Sequence, residues 1–261
     1  MNTPEPPPPP GPASLAGTVA VVTAGCGGIG LVIARQLAAA GARVVATSRD
    51  PGGLAGADTV ETLAAEGIEA RRLTFGEDET AEFFRAVAAD LGRVDILVHA
   101  AAGRTPGLAV EQVTVEAFRQ ELDDSLIAAF LCARAAVDAG ARTIVQVGSV
   151  YGVLAVDHRI YTDPARQTPI TYACAKAALV QMTRYLAALW APRGVRVNCV
   201  SVGGIRRAQE PEFLANYSRR VPMGRMAEPE EVAGAVLFLA SPQSGYVTGE
   251  NLMVDGGLHA W

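Results

Sequence analysis

The sequence predicts one α/β domain: a doubly wound, parallel, seven-stranded sheet with helices on both faces. Three observations predict it. Seven short apolar runs recur along the chain, and helical patterns separate them. Strands buried on both faces read as such runs, and their alternation with helices argues parallel pairing with right-handed crossovers. Half of the 261 residues are hydrophobic, with no internal repeat and no dividing linker, which suits one sizeable core.

The elements follow in order. The opening residues, MNTPEPPPPPGPAS, have neither the basic nor the apolar region of a signal peptide. Residues 1–14 are expected to form an extended, disordered lead-in, or alternatively a ligand for a proline-reading module, with the domain over 15–261. TVAVVT (Thr18–Thr23) predicts the first strand. A glycine cluster leads from it into an amphipathic helix, Leu31–Ala40, stopped by Gly41. ARVVAT, ARRLTF (Ala70–Phe75) and VDILVHA (Val94–Ala100) predict the next three strands. A helical pattern covers Thr114–Asp138, and RTIVQVGS (Arg142–Ser149) is the fifth strand. Helix Thr171–Trp190, strand VRVNCVSV (Val195–Val202), helix Pro229–Ala240 and a short strand in NLMVDGG complete the chain.

Composition narrows the function. The net charge is -5 without a dense Lys/Arg run, which argues against a nucleic-acid groove. Cys26, Cys132, Cys174 and Cys199 form no C-x-x-C pair, so zinc and disulfide frameworks fit poorly. Reduced, mostly buried thiols suggest a cytoplasmic protein. His99, His158 and His259 are too scattered for a metal site. No apolar stretch reaches the ~20 residues of a membrane span.

The loop TAGCGGIG runs from Thr23 to Gly30. Gly25, Gly27 and Gly30 satisfy G-x-G-x-x-G between a strand and a helix. Such a loop admits a pyrophosphate to the backbone, and the helix N-terminus favours its charge. The predicted fold is therefore Rossmann-type. The second strand ends at Ser48 and Arg49. An arginine there pairs with the 2′-phosphate of NADP, whereas an acidic residue binds the ribose of NAD. Ser48 and Arg49 point to NADP, and Asp50 keeps NAD open.

YACAK places Tyr172 and Lys176 four apart, on one helix face. A phenol is a poor base at neutral pH, and a nearby ammonium favours its phenolate. The glycine loop, YACAK, GRVDILV, RVNCVS, PMGRMAEPEEVA and LASPQSGYVTGENLMVDGG together resemble the short-chain dehydrogenase/reductase family in its classical form, over Leu15 to Gly257. The resemblance implies hydride exchange between a nicotinamide and a ketone or secondary alcohol. It makes Tyr172 the proton donor or acceptor and Ser149 the residue polarising the same oxygen. It gives Lys176 the nicotinamide ribose to hold. Gly28, Ile29 and Gly30 match the family's T-G-x-x-x-G-I-G, with Ala24 in place of its first glycine, where only a methyl group is added. A homotetramer or homodimer is also implied, commonly through the fourth and fifth helices.

The chain departs from the pattern at several points. Ser125 stands where the family has an asparagine that holds a water beside the lysine. His99-Ala100-Ala101-Ala102 replaces N-N-A-G, and His99 is expected to fill the asparagine's place beside the cofactor, or else to carry protons. Ile205 belongs to the loop after the sixth strand, where Arg207 replaces a threonine. Arg206 or Arg207 can meet a phosphate there, or be solvated. Phe75 is expected against the adenine or in the core. An insertion, roughly Val153–Pro169, separates Ser149 from Tyr172. Its Asp157, His158, Arg159 and Tyr161 either wall a polar substrate cleft or form a surface excursion. Its R-I-Y core is similar to family members associated with sugar or polysaccharide metabolism. The segment Arg206–Val221 is expected as a lid, with Phe213, Leu214 and Tyr217 offering an apolar face.

An NADP(H)-dependent oxidoreductase is the first reading. The others are an NAD-linked alcohol or sugar dehydrogenase, and a weakly catalytic dinucleotide-binding sensor or scaffold.

Overall fold

Each of the seven apolar runs forms a strand: β1 (Val19–Thr23), β2 (Arg43–Ser48), β3 (Ile68–Arg72), β4 (Ile96–His99), β5 (Thr143–Ser149), β6 (Arg196–Val202) and β7 (Asn251–Val254). A computed structural model describes residues 13–53, 60–103, 107, 109–163 and 166–261. The proline run lies outside the described residues. The sheet order is β3-β2-β1-β4-β5-β6-β7 and every neighbouring pair is parallel. Strand order reverses between β1 and β4. A crevice opens there at the carboxyl ends of the strands, the general ligand position of such sheets.

Side chains alternate across the sheet and build a core on each face. Val22 and Val44 meet Ile33 and Leu37 of α1 (Gly28–Ala39), with Val236 and Leu239 of α8 (Pro229–Ala240). On the other face, Val21 and Val45 meet Phe84 of α3 (Glu77–Leu91), Cys132 of α5 (Ala128–Asp138) and Trp190 of α6 (Ile170–Trp190). The remaining helices are α2 (Val60–Ala65), α4 (Val115–Leu122) and α7 (Pro211–Ser218). No described helix is long and apolar enough to cross a membrane.

Three expectations need correction. The third strand is Ile68–Arg72, not Ala70–Phe75: its pairing with β2 ends at Ser48 and Arg72. Thr74–Gly76 then leaves the sheet, which frees Phe75 to reach the crevice. Helices α2 and α3 were absent from the sequence reading, although Thr80, Phe84 and Val87 form a buried helical stripe on α3. The helix read over Thr114–Asp138 is interrupted. Thr114 caps α4 by accepting from the Ala117 N–H, and a single π turn, Asp123–Ile127, joins α4 to α5. Such turns recur at functional sites.

Candidate active site

The crevice encloses about 830 Å³. Its floor is the glycine loop, and its stereochemistry is demanding. A Cβ on Gly30 would stand 2.3 Å from the Ala24 carbonyl oxygen, and one on Gly25 would stand 2.7 Å from that of Val22. Gly28 lies in the left-handed region at φ +54°, whereas Gly27 is extended with open space around it. Gly25, Gly28 and Gly30 are thus the required glycines. Ala24 is also left-handed, at φ +51°. Its substitution therefore does more than add a methyl group. It imposes a backbone conformation costing about 1–2 kcal/mol in an L-residue. With α1 beginning at Gly28, the bare backbone at a helix N-terminus fits a dinucleotide pyrophosphate.

Arg207 leans over this loop. Its Nη2 is 3.8 Å from where a Gly28 Cβ would be, while Arg206 turns to Glu228 at 3.7 Å. Of the two arginines, Arg207 takes the crevice. Ser48, Arg49 and Asp50 line the rim at the end of β2. Asp50 is folded onto its own turn: its carboxylate accepts from the Gly53 N–H at 3.2 Å, and its N–H donates to Ser48 Oγ at 3.2 Å. Ile29 and Phe75 also line the crevice.

Two residues expected at the cofactor, Ile205 and His99, do not line this crevice. Ile205 packs against the core and bridges to Ala227. His99 is fully buried, behind the crevice wall. Thr23 Oγ1 accepts from the N–H groups of Ala100 and Ala101, so its own proton goes to His99 Nδ1 at 3.0 Å. Burial, reinforced by the charge of Lys176, pushes the His99 pKa down to about 3. His99 is thus held uncharged near neutral pH. It braces Thr23, whose hydroxyl holds the start of the loop after β4.

Ser149, Tyr172 and Lys176 converge at the carboxyl end of β5. Ser149 closes β5 and caps the turn Val150–Gly152, which rests on α6. Pro169, extended, begins α6, so Tyr172 and Lys176 share its face toward that turn. Ser149 is close enough to Tyr172 for its hydroxyl to favour the phenolate. Lys176 is the only lysine in the chain and is 2% exposed. Its Nζ donates to the Val147 carbonyl at 2.8 Å and lies 5.6 Å from the Tyr172 ring centroid. Burial lowers its pKa to about 8, against upward pulls from Cys199 and Glu121.

Tyr172 does not follow the expectation of a lowered pKa. Burial raises it and Glu121 adds to the rise, while the Ser149 hydrogen bond and the charge of Arg207 pull it down. Desolvation of a phenolate outweighs the neighbouring donors here.

The insertion is held to itself and to the segment Arg206–Val221. Asp157 pairs with Arg159 at 2.8 Å and Arg220 at 2.9 Å, and His158 meets Gln167 at 2.9 Å. Tyr161 bonds Thr168 at 2.6 Å and stacks near Phe213 of α7. Ile160 joins Tyr217, Val221 and Met226 in a small apolar cluster. Sequence reasoning missed Glu121, 1% exposed, whose carboxylate accepts from Ser125 Oγ at 2.7 Å. Its signal was a carboxylate one helical turn before Ser125. The spacing was visible, but the inward orientation was not.

Comparison with known proteins gives the family. The family model described as enoyl-(acyl carrier protein) reductase matches residues 24–259. Galactitol 2-dehydrogenase (L-tagatose-forming) of Cereibacter sphaeroides is 37% identical, over 95% of this chain and 97% of that protein. The 3-oxoacyl-[acyl-carrier-protein] reductase of Vibrio cholerae is 32% identical, over 94% and 99%. Among solved structures, a Leptospira borgpetersenii short-chain dehydrogenase with bound NAD+ has a TM-score of 0.83 at 31% identity, over 94% of each chain. The Pseudomonas aeruginosa RhlG/NADP active-site complex has a TM-score of 0.82 at 32% identity, over 95% of this chain and 98% of that one. The chain belongs to the classical short-chain dehydrogenase/reductase family and is an oxidoreductase of the alcohol/carbonyl pair that uses a nicotinamide dinucleotide.

Proposed function

We propose that this protein is an NADP(H)-dependent oxidoreductase of ketones and secondary alcohols, with Tyr172 as its proton donor and acceptor. The observation that carries the reading is the meeting of Ser149 at the end of β5 with Tyr172 and the buried Lys176 on α6, whose Nζ lies 5.6 Å from the Tyr172 ring centroid. The nicotinamide, when bound, supplies or accepts the hydride. Ser149 and Tyr172 present two hydroxyls to one substrate oxygen, and Tyr172 gives or takes the proton. Lys176, fixed to the Val147 carbonyl, holds positive charge beneath the phenol. Gly25, Gly28, Ile29 and Gly30 would carry the dinucleotide, with Arg207 beside its phosphates.

For the cofactor, Arg49 favours NADP because Asp50 is engaged with Gly53. NAD is the second reading, since Asp50 lines the same rim. A sugar alcohol or its ketose is the first substrate class to try, on the likeness to galactitol 2-dehydrogenase. A homodimer or homotetramer would cover the exposed Phe130 of α5 and Tyr185 and Leu189 of α6.

Tyr172→Phe is expected to abolish turnover of polyols or ketones and leave dinucleotide affinity in place. Unchanged turnover rejects the role of Tyr172. Arg49→Ala is expected to weaken NADP by about tenfold and NAD little, as loss of a charge-assisted phosphate contact would do. A parent that prefers NAD rejects the cofactor assignment.

A further inference from the structure

The segment after β6 carries two adjacent arginines, and the fold holds them differently. The Arg206 N–H donates to the Ala227 carbonyl at 2.8 Å, and the Ala227 N–H donates to the Gly204 carbonyl at 2.9 Å. The Arg206 side chain lies 3.7 Å from Glu228, the N-cap of α8. Gln209 holds the next residue. Its Oε1 accepts from the Arg207 N–H at 2.6 Å, and its Nε2 donates to the Ile205 carbonyl at 2.7 Å. Its own N–H donates to the Arg207 carbonyl at 2.9 Å. One carboxamide thus closes the turn on both sides of Arg207. The reversed amide would set donor against donor, so the pattern also fixes its orientation.

The side chain of Arg207 is held by none of these bonds and stands over the glycine loop. Beyond the loop's own backbone, its Nη2 is the one described group within 4 Å of where a Gly28 Cβ would be, and none lies that close to a Gly27 Cβ. Asp50 and Asp124 line the same crevice, but neither pairs with Arg207 among the described residues, and Asp50 is turned to Gly53. Helix α1 starts at the same point. Gly27 is its N-cap, with no side chain to accept from the first N–H groups, and the first turn has no acidic residue. A helix N-terminus and a guanidinium are both positive. Held face to face they repel, and an anion between them turns that repulsion into two attractions.

We propose that Gln209 is a positioning residue for the dinucleotide: it fixes Arg207 opposite the N-terminus of α1, so that the pyrophosphate is held from two sides, by backbone N–H groups and by a guanidinium. The turn is set by bonds within the protein, so little of it has to be ordered on binding. Arg207 then meets a group common to NAD and NADP, whereas Arg49 is assigned only the 2′-phosphate. Arg207 supplies affinity for either dinucleotide, and Arg49 supplies the discrimination. The inference rests on the dinucleotide reading of this crevice, and it holds for either cofactor.

Affinities for NADPH and NADH, read from their fluorescence without turnover, test it in four proteins: the parent, Arg207→Met, Gln209→Leu and the double variant. Arg207→Met is expected to weaken both dinucleotides by about tenfold, as loss of one charge-assisted contact would do. Gln209→Leu, close in volume, removes both amide bonds and is expected to weaken both by about threefold. In the double variant the change at Gln209 is expected to add nothing, because it acts only through Arg207. Adenosine, which has no phosphate, should bind all four alike. If Gln209→Leu does not fold, Gln209→Asn, too short to span both bonds, takes its place. Unchanged dinucleotide affinity in Arg207→Met overturns the phosphate contact. A Gln209 loss that persists in full in the double variant, or that adenosine shares, overturns the positioning. A parent that prefers NADH would reject the NADP assignment yet leave these ratios readable.

Discussion

Gly152 lies directly on the backbone of Lys176: a Cβ on Gly152 would stand 2.7 Å from the Lys176 carbonyl carbon and oxygen. The turn that follows Ser149 thus touches α6 at the turn of helix that carries Lys176. This contact sets the spacing between Ser149 and Tyr172.

Gly152→Ala should therefore act on chemistry before binding. The methyl group must push the turn away from α6, and Ser149 moves with it. A misplacement of about 1 Å at a reacting group costs on the order of 100-fold in rate. The expected result is a kcat lowered by about that factor, with dinucleotide affinity retained because the glycine loop is remote. Steady-state kinetics with a working substrate, beside a dinucleotide titration, checks it.

Lys176→Met should stabilise the protein at neutral pH. The folded pKa is lowered from 10.5 to about 8, so between these values the unfolded chain binds more protons than the folded one. Stability then rises with pH across that window, and the cost of burying the charge is fully present below it. The substitution should gain on the order of 3 kcal/mol at pH 7, less the lost bond to Val147, and the gain should vanish near pH 10.5. Denaturant unfolding at a series of pH values measures it; a gain independent of pH would contradict the assignment.

Ala24→Gly should relieve backbone strain in the cofactor loop. The left-handed conformation at φ +51° is costly for alanine and free for glycine. Glycine also loosens the unfolded chain, which offsets part of the gain. The expected net effect is a stabilisation on the order of 0.5–1 kcal/mol. Thermal unfolding of the two proteins decides it.

The sequence by itself determined the sheet, its parallel sense, the glycine loop and the pairing of Tyr172 with Lys176. Those features repeat at short range: apolar runs mark buried strands, and a four-residue spacing puts two side chains on one helix face. Helices α2 and α3 were missed because α2 is six residues long and α3 is largely polar. Tertiary structure alone decided which neighbour of a pair takes a role. Arg207 rather than Arg206 faces the crevice, because Arg206 is drawn to Glu228. His99 is fully buried and bonded to Thr23, whose hydroxyl also holds two backbone N–H groups of the next loop. Tyr172 has a raised pKa, because desolvation outweighs its donors. Glu121 is buried because α4 turns it inward against Gly103. Burial and through-space charge are sums over residues far apart in the chain, and no local spacing encodes them.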